Sequence, residues 1–323
     1  MSNDVVICLF ASNGYDRAAQ GVAGAGRNLA AQLGGSMHAV IVGPPEEITT
    51  SAIAAVSDTV TVLDQPELAD YQPELCLAAL QQACEQKDPA AVLLGSDTAS
   101  LELTARLAAR LGGSPMSDGT ALSVADGAIR VTRSAYGGKA EAVFELKKSP
   151  AVVWLRARGF EPAPETGGKA SVDRLSVELP DESPVRVVER HQETHEGIPL
   201  DDAKLVVGGG RGIGGAEPFD ELRQLAQVMT AAVGASRAAC DEGWVPPSAQ
   251  IGQTGKKIAP ELYLAIAISG AAQHVLGISD AKVVCAINND PDAQIFRHSH
   301  FGIVEDYRTV VPLLIERLRA LTS

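Results

Sequence analysis

The chain has 323 residues, more than one hydrophobic core ordinarily organises, so about two domains are expected. Its formal net charge of -13 repels a phosphate backbone, and 4% aromatic residues leave few platforms for stacked bases, which argues against nucleic-acid binding. The acidic surface serves either solubility or a basic partner, and composition leaves both open.

The five cysteines, Cys8, Cys76, Cys84, Cys240 and Cys285, contain no C-x-x-C pair, and several lie in apolar runs, so they read as reduced, buried thiols. The apolar run at 5–10 has no basic leader and is too short to span a bilayer. It is predicted to be the first strand of a protein without membrane insertion, cytoplasmic or, in an organelle-bearing source, in the mitochondrial matrix.

Up to about residue 111, short apolar runs alternate with Ala-rich amphipathic stretches, the pattern of a parallel sheet wrapped by helices. Strands are predicted at 5–10, 38–42, 59–63 and 91–94, and helices at 27–33 and 74–86, with a further helical pattern at 101–107 before Gly112-Gly113. Runs at 120–124, 129–134, 142–146 and 152–155 are parted by turn residues such as Asp126-Gly127 and Gly137-Gly138, which predicts a small antiparallel meander closing the first domain. From residue 159 to about 203, Pro162, Pro164, Gly167-Gly168, Pro180, Pro184 and many charges predict an extended connection, with one candidate strand at 185–188. His191 and His195 stand four apart there, but the order of residues is not that of a metalloprotease, and no zinc site is expected.

A second α/β region begins near residue 204, with strands predicted at 205–207, 262–269 and 283–287 and helices at 219–233 and 309–321. The fold class is therefore α/β in two domains. Residues 1–190 form an N-terminal doubly wound parallel sheet with a small antiparallel extension, followed by or including the linker at about 159–203, and residues 204–323 form the C-terminal domain.

The densest chemical signal is Gly208-Gly209-Gly210-Arg211-Gly212-Ile213-Gly214-Gly215, a strand running into a glycine-rich turn. Glycines let backbone N–H groups approach a phosphate, and Arg211 can pair with its charge; a plain flexible turn is the competing reading. Gly234-Ala235-Ser236-Arg237-Ala238 offers one hydroxyl and one cation among small residues, either a phosphate and anion site or a helix cap with a solvated arginine. Ile251-Gly252-Gln253-Thr254-Gly255-Lys256 imitates part of a phosphate loop but lacks its spacer and the hydroxyl after the lysine, so a nucleoside triphosphate site is not expected. Ser269-Gly270-Ala271-Ala272-Gln273-His274 closes an apolar strand, where a helix N-terminus would turn its N–H groups towards an anion. No nucleophile, general base or metal cluster stands out.

These four segments in this order, with Asn288 after the next strand and Gly302-Ile303-Val304-Glu305-Asp306 before the last helix, resemble the FAD-binding domain of the electron transfer flavoprotein alpha subunit across about 204–321. The first domain is similar too, through Arg133-Ser134-Ala135-Tyr136-Gly137-Gly138-Lys139-Ala140 and the runs around it. The resemblance implies a Rossmann-like FAD-binding fold for the C-terminal domain. It implies that Arg211 and Ser236 approach the FAD diphosphate, that Ile251, Gly252, Gln253 and Thr254 line the isoalloxazine edge, and that Ser269, Gly270, Ala271, Ala272, Gln273 and His274 hold the diphosphate and the pyrimidine side. Asn288, Asp306 and Tyr307 would flank the adenosine half. Arg237 and His274 are the cations or donors available to the reduced ring. At Ser299-His300-Phe301 the family usually shows Ala-Asp-Tyr, so a protonated His300 would reverse the local charge.

The function implied is that of a carrier, not an enzyme: the larger subunit of a heterodimer with an electron transfer flavoprotein beta subunit. It would take electrons from flavin dehydrogenases and deliver them to a quinone oxidoreductase or other acceptor, with the first domain meeting the beta subunit and any AMP belonging to that subunit. A flavin- or nicotinamide-dependent oxidoreductase acting on a small molecule is the alternative, and a non-redox adenine-nucleotide sensor a third.

Overall fold

The computed structural model describes residues 2–136, 140–167, 170–181, 183, 185, 187–189 and 197–322. The turn expected at Gly137-Gly138, residues Gly168 and Pro184 of the connection, Arg186 in the candidate strand at 185–188, and His191 and His195 lie outside them. The chain divides into two compact units, Met1–Ala135 with Lys139–His191, and Gln192–Ser323 with Tyr136–Gly138.

The first unit contains strands β1 (Val5–Phe10), β2 (Met37–Val42), β3 (Thr59–Leu63), β4 (Ala91–Leu94), β5 (Ser114–Ala125), β6 (Ala128–Ala135), β7 (Ala140–Glu145), β8 (Ala151–Leu155) and β9 (Ser171–Arg174). They form one sheet in the order β7-β6-β5-β8-β4-β1-β2-β3-β9. Helices α1 (Arg17–Leu33), α2 (Glu47–Val56), α3 (Pro73–Lys87) and α4 (Thr98–Leu111) connect its strands. Along β1 the period of two sends Val5, Ile7 and Leu9 into one core and Val6, Cys8 and Phe10 into the other, which is why the run is apolar throughout. Asp16 and Asp97 cap α1 and α4 by accepting the N–H groups of Ala19 and Ser100, and Gly34 and Gly112 end these helices in the left-handed conformation.

Several elements differ from the expectation. The run at 152–155 is not part of the antiparallel meander: β8 lies parallel between β4 and β5, and all five of its residues are buried. A strand covered on both faces has no polar alternation by which to tell it from a meander strand. Helix α1 begins ten residues before the expected 27: Gly21, Gly24 and Gly26 lower the helical propensity of that stretch, and the Asp16 cap and packing of its buried alanines and Val22 sustain it. Residues 171–174, read as connection, pair with β3 as strand β9, and the Val177 backbone exchanges hydrogen bonds of 2.9 and 3.0 Å with the Gln65 amide. No strand is assigned to Val185, Val187 or Val188.

The second unit contains β10 (Leu205–Gly209), β11 (Ala232–Ala235), β12 (Leu262–Ile266), β13 (Val283–Asn288) and β14 (Phe301–Val304), all parallel, in the order β11-β10-β12-β13-β14. Helices α5 (Phe219–Met229), α6 (Arg237–Asp241), α7 (Ala272–Ile278) and α8 (Tyr307–Thr322) join or follow them. The helix expected to reach 233 stops at Met229, where Thr230 turns left-handed with φ 54° and its N–H reaches back to the Ala226 and Gln227 carbonyls; β11 follows. Strand β12 ends at Ile266, not 269, because Ala267 also turns left-handed with φ 54°. Strand β14, absent from the sequence reading, is a four-residue edge strand with every residue exposed. All five cysteines are free, four of them buried and Cys285 half-buried. Among the described residues, no helix is long and apolar enough to cross a membrane.

Candidate functional site

From β10 the chain moves to β11 on one side and then to β12 on the other, so the strand order reverses beside β10. In an open parallel sheet the loops beyond such a reversal diverge and leave a crevice at the C-terminal strand ends. A cavity of about 730 Å³ lies there. Its wall is built from Gly210, Arg211 and Gly212 after β10, Ser236, Arg237, Ala238 and Asp241 after β11, and the loop residues Gln250 to Thr254. Ala267, Ile268, Ser269, Ala271, Gln273 and His274 after β12 and Asn288, Asp290 and Ala293 after β13 complete it.

The floor is backbone against backbone. A Cβ on Gly210 would stand 2.0 Å from the Ala267 carbonyl oxygen, so only glycine fits at that position. The Gly212 N–H donates to the same oxygen at 3.3 Å, which fastens the first turn to the left-handed Ala267. A non-glycine residue held in that conformation costs on the order of 1 kcal/mol and persists where the surroundings enforce it. Beyond Ala267, the N–H groups of Ser269, Gly270 and Ala271 bond to no described backbone carbonyl, so the turn opening α7 presents free donors.

Among the described residues of the wall, the charged groups are Arg211, Arg237, Asp241 and Asp290. Arg211 is exposed, and no described side chain pairs with it. Arg237 is bridged by Asp241 at 3.4 Å with both side chains more than half exposed, at 69% and 63%. Asp290 donates its N–H to the Asn288 Oδ1 at 2.9 Å, and the Asn288 Nδ2 donates to the Ile268 carbonyl at 2.9 Å, so this buried amide locks the ends of β12 and β13 together.

The 250–256 loop is folded on itself. The Gln250 Nε2 donates to the Thr254 hydroxyl at 2.9 Å, the Gly252 N–H to the Lys256 carbonyl at 3.1 Å, and the Lys256 N–H to the Gln250 carbonyl at 2.8 Å. Lys256 is not in the cavity wall; its ammonium is held by Asp201 at 2.7 Å. The loop is joined to the start of α7 by the Gln253 N–H donating to the Gln273 carbonyl at 2.8 Å.

His274 corrects one expectation. It lines the cavity but is 6% exposed, and burial pulls its pKa down to about 4, opposed only in part by the hydrogen bond with the Ile251 carbonyl, so it is neutral and not a cation. Both ring nitrogens are engaged, Nε2 with the Tyr263 hydroxyl at 2.9 Å and Nδ1 with the Ile251 carbonyl at 3.1 Å.

Of the residues singled out from the sequence, the structure gathers Arg211, Ser236, Arg237, Ile251, Gly252, Gln253, Thr254, Ser269, Ala271, Gln273, His274 and Asn288 around this cavity. Gly270, Ala272, Asp306 and Tyr307 are not in its wall. Gly270 shapes the turn, since a Cβ there would stand 2.1 Å from the Ile295 nitrogen. Tyr307 is buried at 5% exposure with its hydroxyl donating to the Ile213 carbonyl at 2.8 Å, so it holds the first turn from behind; Asp306 caps the start of α8 by accepting the Arg308 N–H at 2.9 Å. The departure at His300 also lies outside the wall: its Nδ1 accepts the Val284 N–H at 3.0 Å and its own N–H donates to the Val284 carbonyl at 2.8 Å, which fixes β14 beside β13. Ala238, Asp241, Gln250, Ala267, Ile268, Asp290 and Ala293 were not singled out. Asp241 alone carried a signal, its i+4 spacing from Arg237.

Comparison with known proteins agrees with this geometry. Residues 199–279 match the electron transfer flavoprotein FAD-binding domain, and residues 13–180 match the electron transfer flavoprotein domain. The chain is 37% identical over 302 residues to the electron transfer flavoprotein subunit alpha of Bacillus subtilis, covering 92% of this chain and 91% of that protein. It is 37% identical over 316 residues to the protein FixB of Azorhizobium caulinodans, with 93% and 84% covered. A probable mitochondrial alpha subunit of Caenorhabditis elegans is 36% identical over 293 residues, with 90% and 86% covered. The chain therefore belongs to the electron transfer flavoprotein alpha subunit family, FAD-binding electron carriers and not enzymes in their own right.

Proposed function

We propose that the cleft beyond β10 to β13 holds FAD, and that the chain, joined to a beta subunit through its first unit, carries electrons from flavin dehydrogenases to a quinone oxidoreductase or another acceptor. The observation that carries this reading is the donor set at the strand-order reversal. An exposed arginine and backbone N–H groups that have no partner among the described residues converge with a serine hydroxyl on one cavity. Such a set fits a diphosphate, and the cavity beside it is large enough for part of a ring system. Both ring nitrogens of the cleft's His274 are committed to protein groups, so among the described residues this histidine is not poised as a general base.

FAD supplies the reversible uptake and release of electrons. The chain's residues bind and orient it. Arg211, Ser236 and the N–H groups of Ser269 to Ala271 hold the diphosphate, and Ile251, Gly252, Gln253 and Thr254, with Gln273 and His274, border the ring. Arg237 brings a positive charge whose strength Asp241 moderates. Asn288 serves the adenosine half, while Asp306 and Tyr307 act from outside the cleft. Residues 204–323 form the FAD-binding domain, and free thiols throughout suit a cytoplasmic or matrix setting.

The test is co-expression with the source's beta subunit, followed by the visible spectrum and chromatographic identification of the released cofactor. A yellow heterodimer containing FAD and reducible through a flavin dehydrogenase is expected; a colourless heterodimer that takes up no added FAD overturns the reading. The lone chain is expected to aggregate or load incompletely. A monodisperse, fully loaded lone chain accepting electrons at undiminished rate would remove the need for a beta subunit.

A further inference from the structure

We infer that Tyr263 is a positioning residue of the cofactor cleft, which fixes the His274 imidazole as one neutral tautomer and through it holds the 251–253 rim against α7. Tyr263 sits on β12, fully buried, and is not part of the cavity wall. Its hydroxyl is 2.9 Å from the His274 Nε2, and the His274 Nδ1 is 3.1 Å from the Ile251 carbonyl oxygen. A carbonyl oxygen only accepts, so Nδ1 carries the proton; Nε2 of the neutral ring then holds a lone pair, and the Tyr263 hydroxyl donates. The bonds run in one direction, from Tyr263 through His274 to Ile251.

Two glycines make room for this arrangement. A Cβ on Gly208 would stand 2.0 Å from the Tyr263 hydroxyl oxygen, so β10 leaves space for the phenol only as glycine. A Cβ on Gly277 would stand 2.5 Å from the Gly252 nitrogen, so α7 lies backbone-close to the rim. The Gln253 N–H donating to the Gln273 carbonyl at 2.8 Å is the second tie between rim and helix. Among the described residues Tyr263 is the titratable group in hydrogen-bond and ring contact with the imidazole, and burial raises its pKa, so it remains a donor. The charged groups sharing the cavity are Arg211, Arg237, Asp241 and Asp290.

Only the binding measurement below rests on the assignment of the cleft to FAD. Nitrogen-15 NMR of the histidine-labelled heterodimer reads the tautomer directly, with the His274 resonances identified by their loss in His274→Gln. The expected result is the Nδ1–H form, uncharged from pH 8 down to about 5.5; an Nε2–H form or an imidazolium at pH 7 overturns the inference even if Tyr263→Phe does not fold. Tyr263→Phe leaves Nε2 without its donor, so a mixture of tautomers and a roughly tenfold weaker FAD dissociation constant are expected. His274→Asn, which keeps a donor near Nδ1, is expected to bind FAD more tightly than His274→Gln, which keeps only an acceptor near Nε2. Unchanged FAD affinity in Tyr263→Phe, or the reverse order of the two His274 variants, overturns the positioning role. A wild-type heterodimer with the Nδ1–H tautomer but no affinity for FAD instead breaks the assignment of the cleft.

Discussion

The two units of this chain use one topological device to opposite ends. In the first, β1 leads to β2 and β3 on one side and then to β4 on the other, so the strand order reverses beside β1 just as it does beside β10 in the second. The chain's own backbone packs at that end of the first sheet: a Cβ on Gly21 or Gly24 of α1 would stand 1.8 Å from the Ala157 or Glu161 carbonyl oxygen. The Ser96 hydroxyl donates to the Leu155 carbonyl at 3.0 Å and accepts the Ala157 N–H at 2.6 Å, and Arg17 donates to the Phe160 carbonyl at 2.8 Å. In the second unit the loops after β10 and β12 meet at the floor, through Gly210 and Ala267, and a cavity remains beside them. Strand order thus marks where a ligand can bind, and loop packing decides whether there is room.

Acid should separate the two units most strongly. His274 in the second unit has its pKa lowered from 6.5 to about 4, so between these values the unfolded chain binds a proton that the folded one does not. Stability therefore falls as pH drops from about 6.5 towards 4, by a total of about 3 kcal/mol. The first unit's shifted carboxyls run in another window. Asp4 is held low by the Ser36 N–H, Glu74 by Arg106 and Glu145 by Lys147, so their contributions are present above their ordinary values of 3.8 and 4.5 and are lost below them. Hydrogen exchange at pH 5 should show the second unit opening more readily than at pH 7, with the first unit unchanged. Equal loosening of both units would break the distinction.

Matched glycine substitutions sharpen it. Gly21→Ala forces a methyl against the Ala157 carbonyl and should cost about 2 to 3 kcal/mol of stability without weakening FAD binding. Gly210→Ala forces the same contact against Ala267, beneath the cleft, and should cost a similar amount while reducing FAD retention. Denaturant titration and FAD titration of both variants separate the outcomes. If Gly21→Ala impairs FAD binding as much as Gly210→Ala does, the two reversals are not functionally different. A smaller effect is expected from Arg211→Ala, about 1.5 kcal/mol in FAD affinity, the low end for a charge-assisted contact because the side chain is exposed. Unchanged affinity would reduce the arginine to a solvated turn residue.

What the sequence disclosed follows the same line. Strands β1 and β4 were legible to the residue because continuous apolar runs ended at turn residues, β3 because β-branched residues run from Thr59 to Val62 before Leu63-Asp64, and the glycine-rich words marked the cleft because close backbone approach demands glycine. Strands β9, β11 and β14 were not legible: each has only four residues, and Ser171–Arg174 and Phe301–Val304 are exposed throughout, so no burial pattern distinguishes them from loop. The charge state of His274 was hidden for a different reason. It follows from burial of the ring, which packs against Tyr263 of β12, and no local spacing reveals that packing. The bond made by Tyr307 was hidden likewise, since only the fold brings its hydroxyl to the Ile213 carbonyl.

The smallest expected effect concerns Arg237, where the two units differ in how an arginine near a strand end is used. In the first unit Arg156, just beyond β8, is 6% exposed, whereas Arg237 stands in the cleft wall 69% exposed. A charge in that setting acts through solvent. Two unit charges about 6 Å apart at an effective dielectric constant of about 60 interact by roughly 1 kcal/mol, equivalent to about 40 mV for one electron. Arg237→Ala should therefore lower the flavin potential by tens of millivolts while FAD stays bound. Asp241, 3.4 Å from the guanidinium, partly cancels that charge, so Asp241→Asn should move the potential the other way. Arg237→Lys should restore part of the loss, because a compact ammonium keeps the charge but not the planar fork. Raising the salt should shrink all three shifts, since exposed charges are screened within about 10 Å at 0.1 M. Spectroscopic redox titrations at equal FAD occupancy decide the matter: superimposable potentials in wild type, Arg237→Ala and Asp241→Asn would show that the pair shapes the loop after β11 and leaves the electron chemistry untouched.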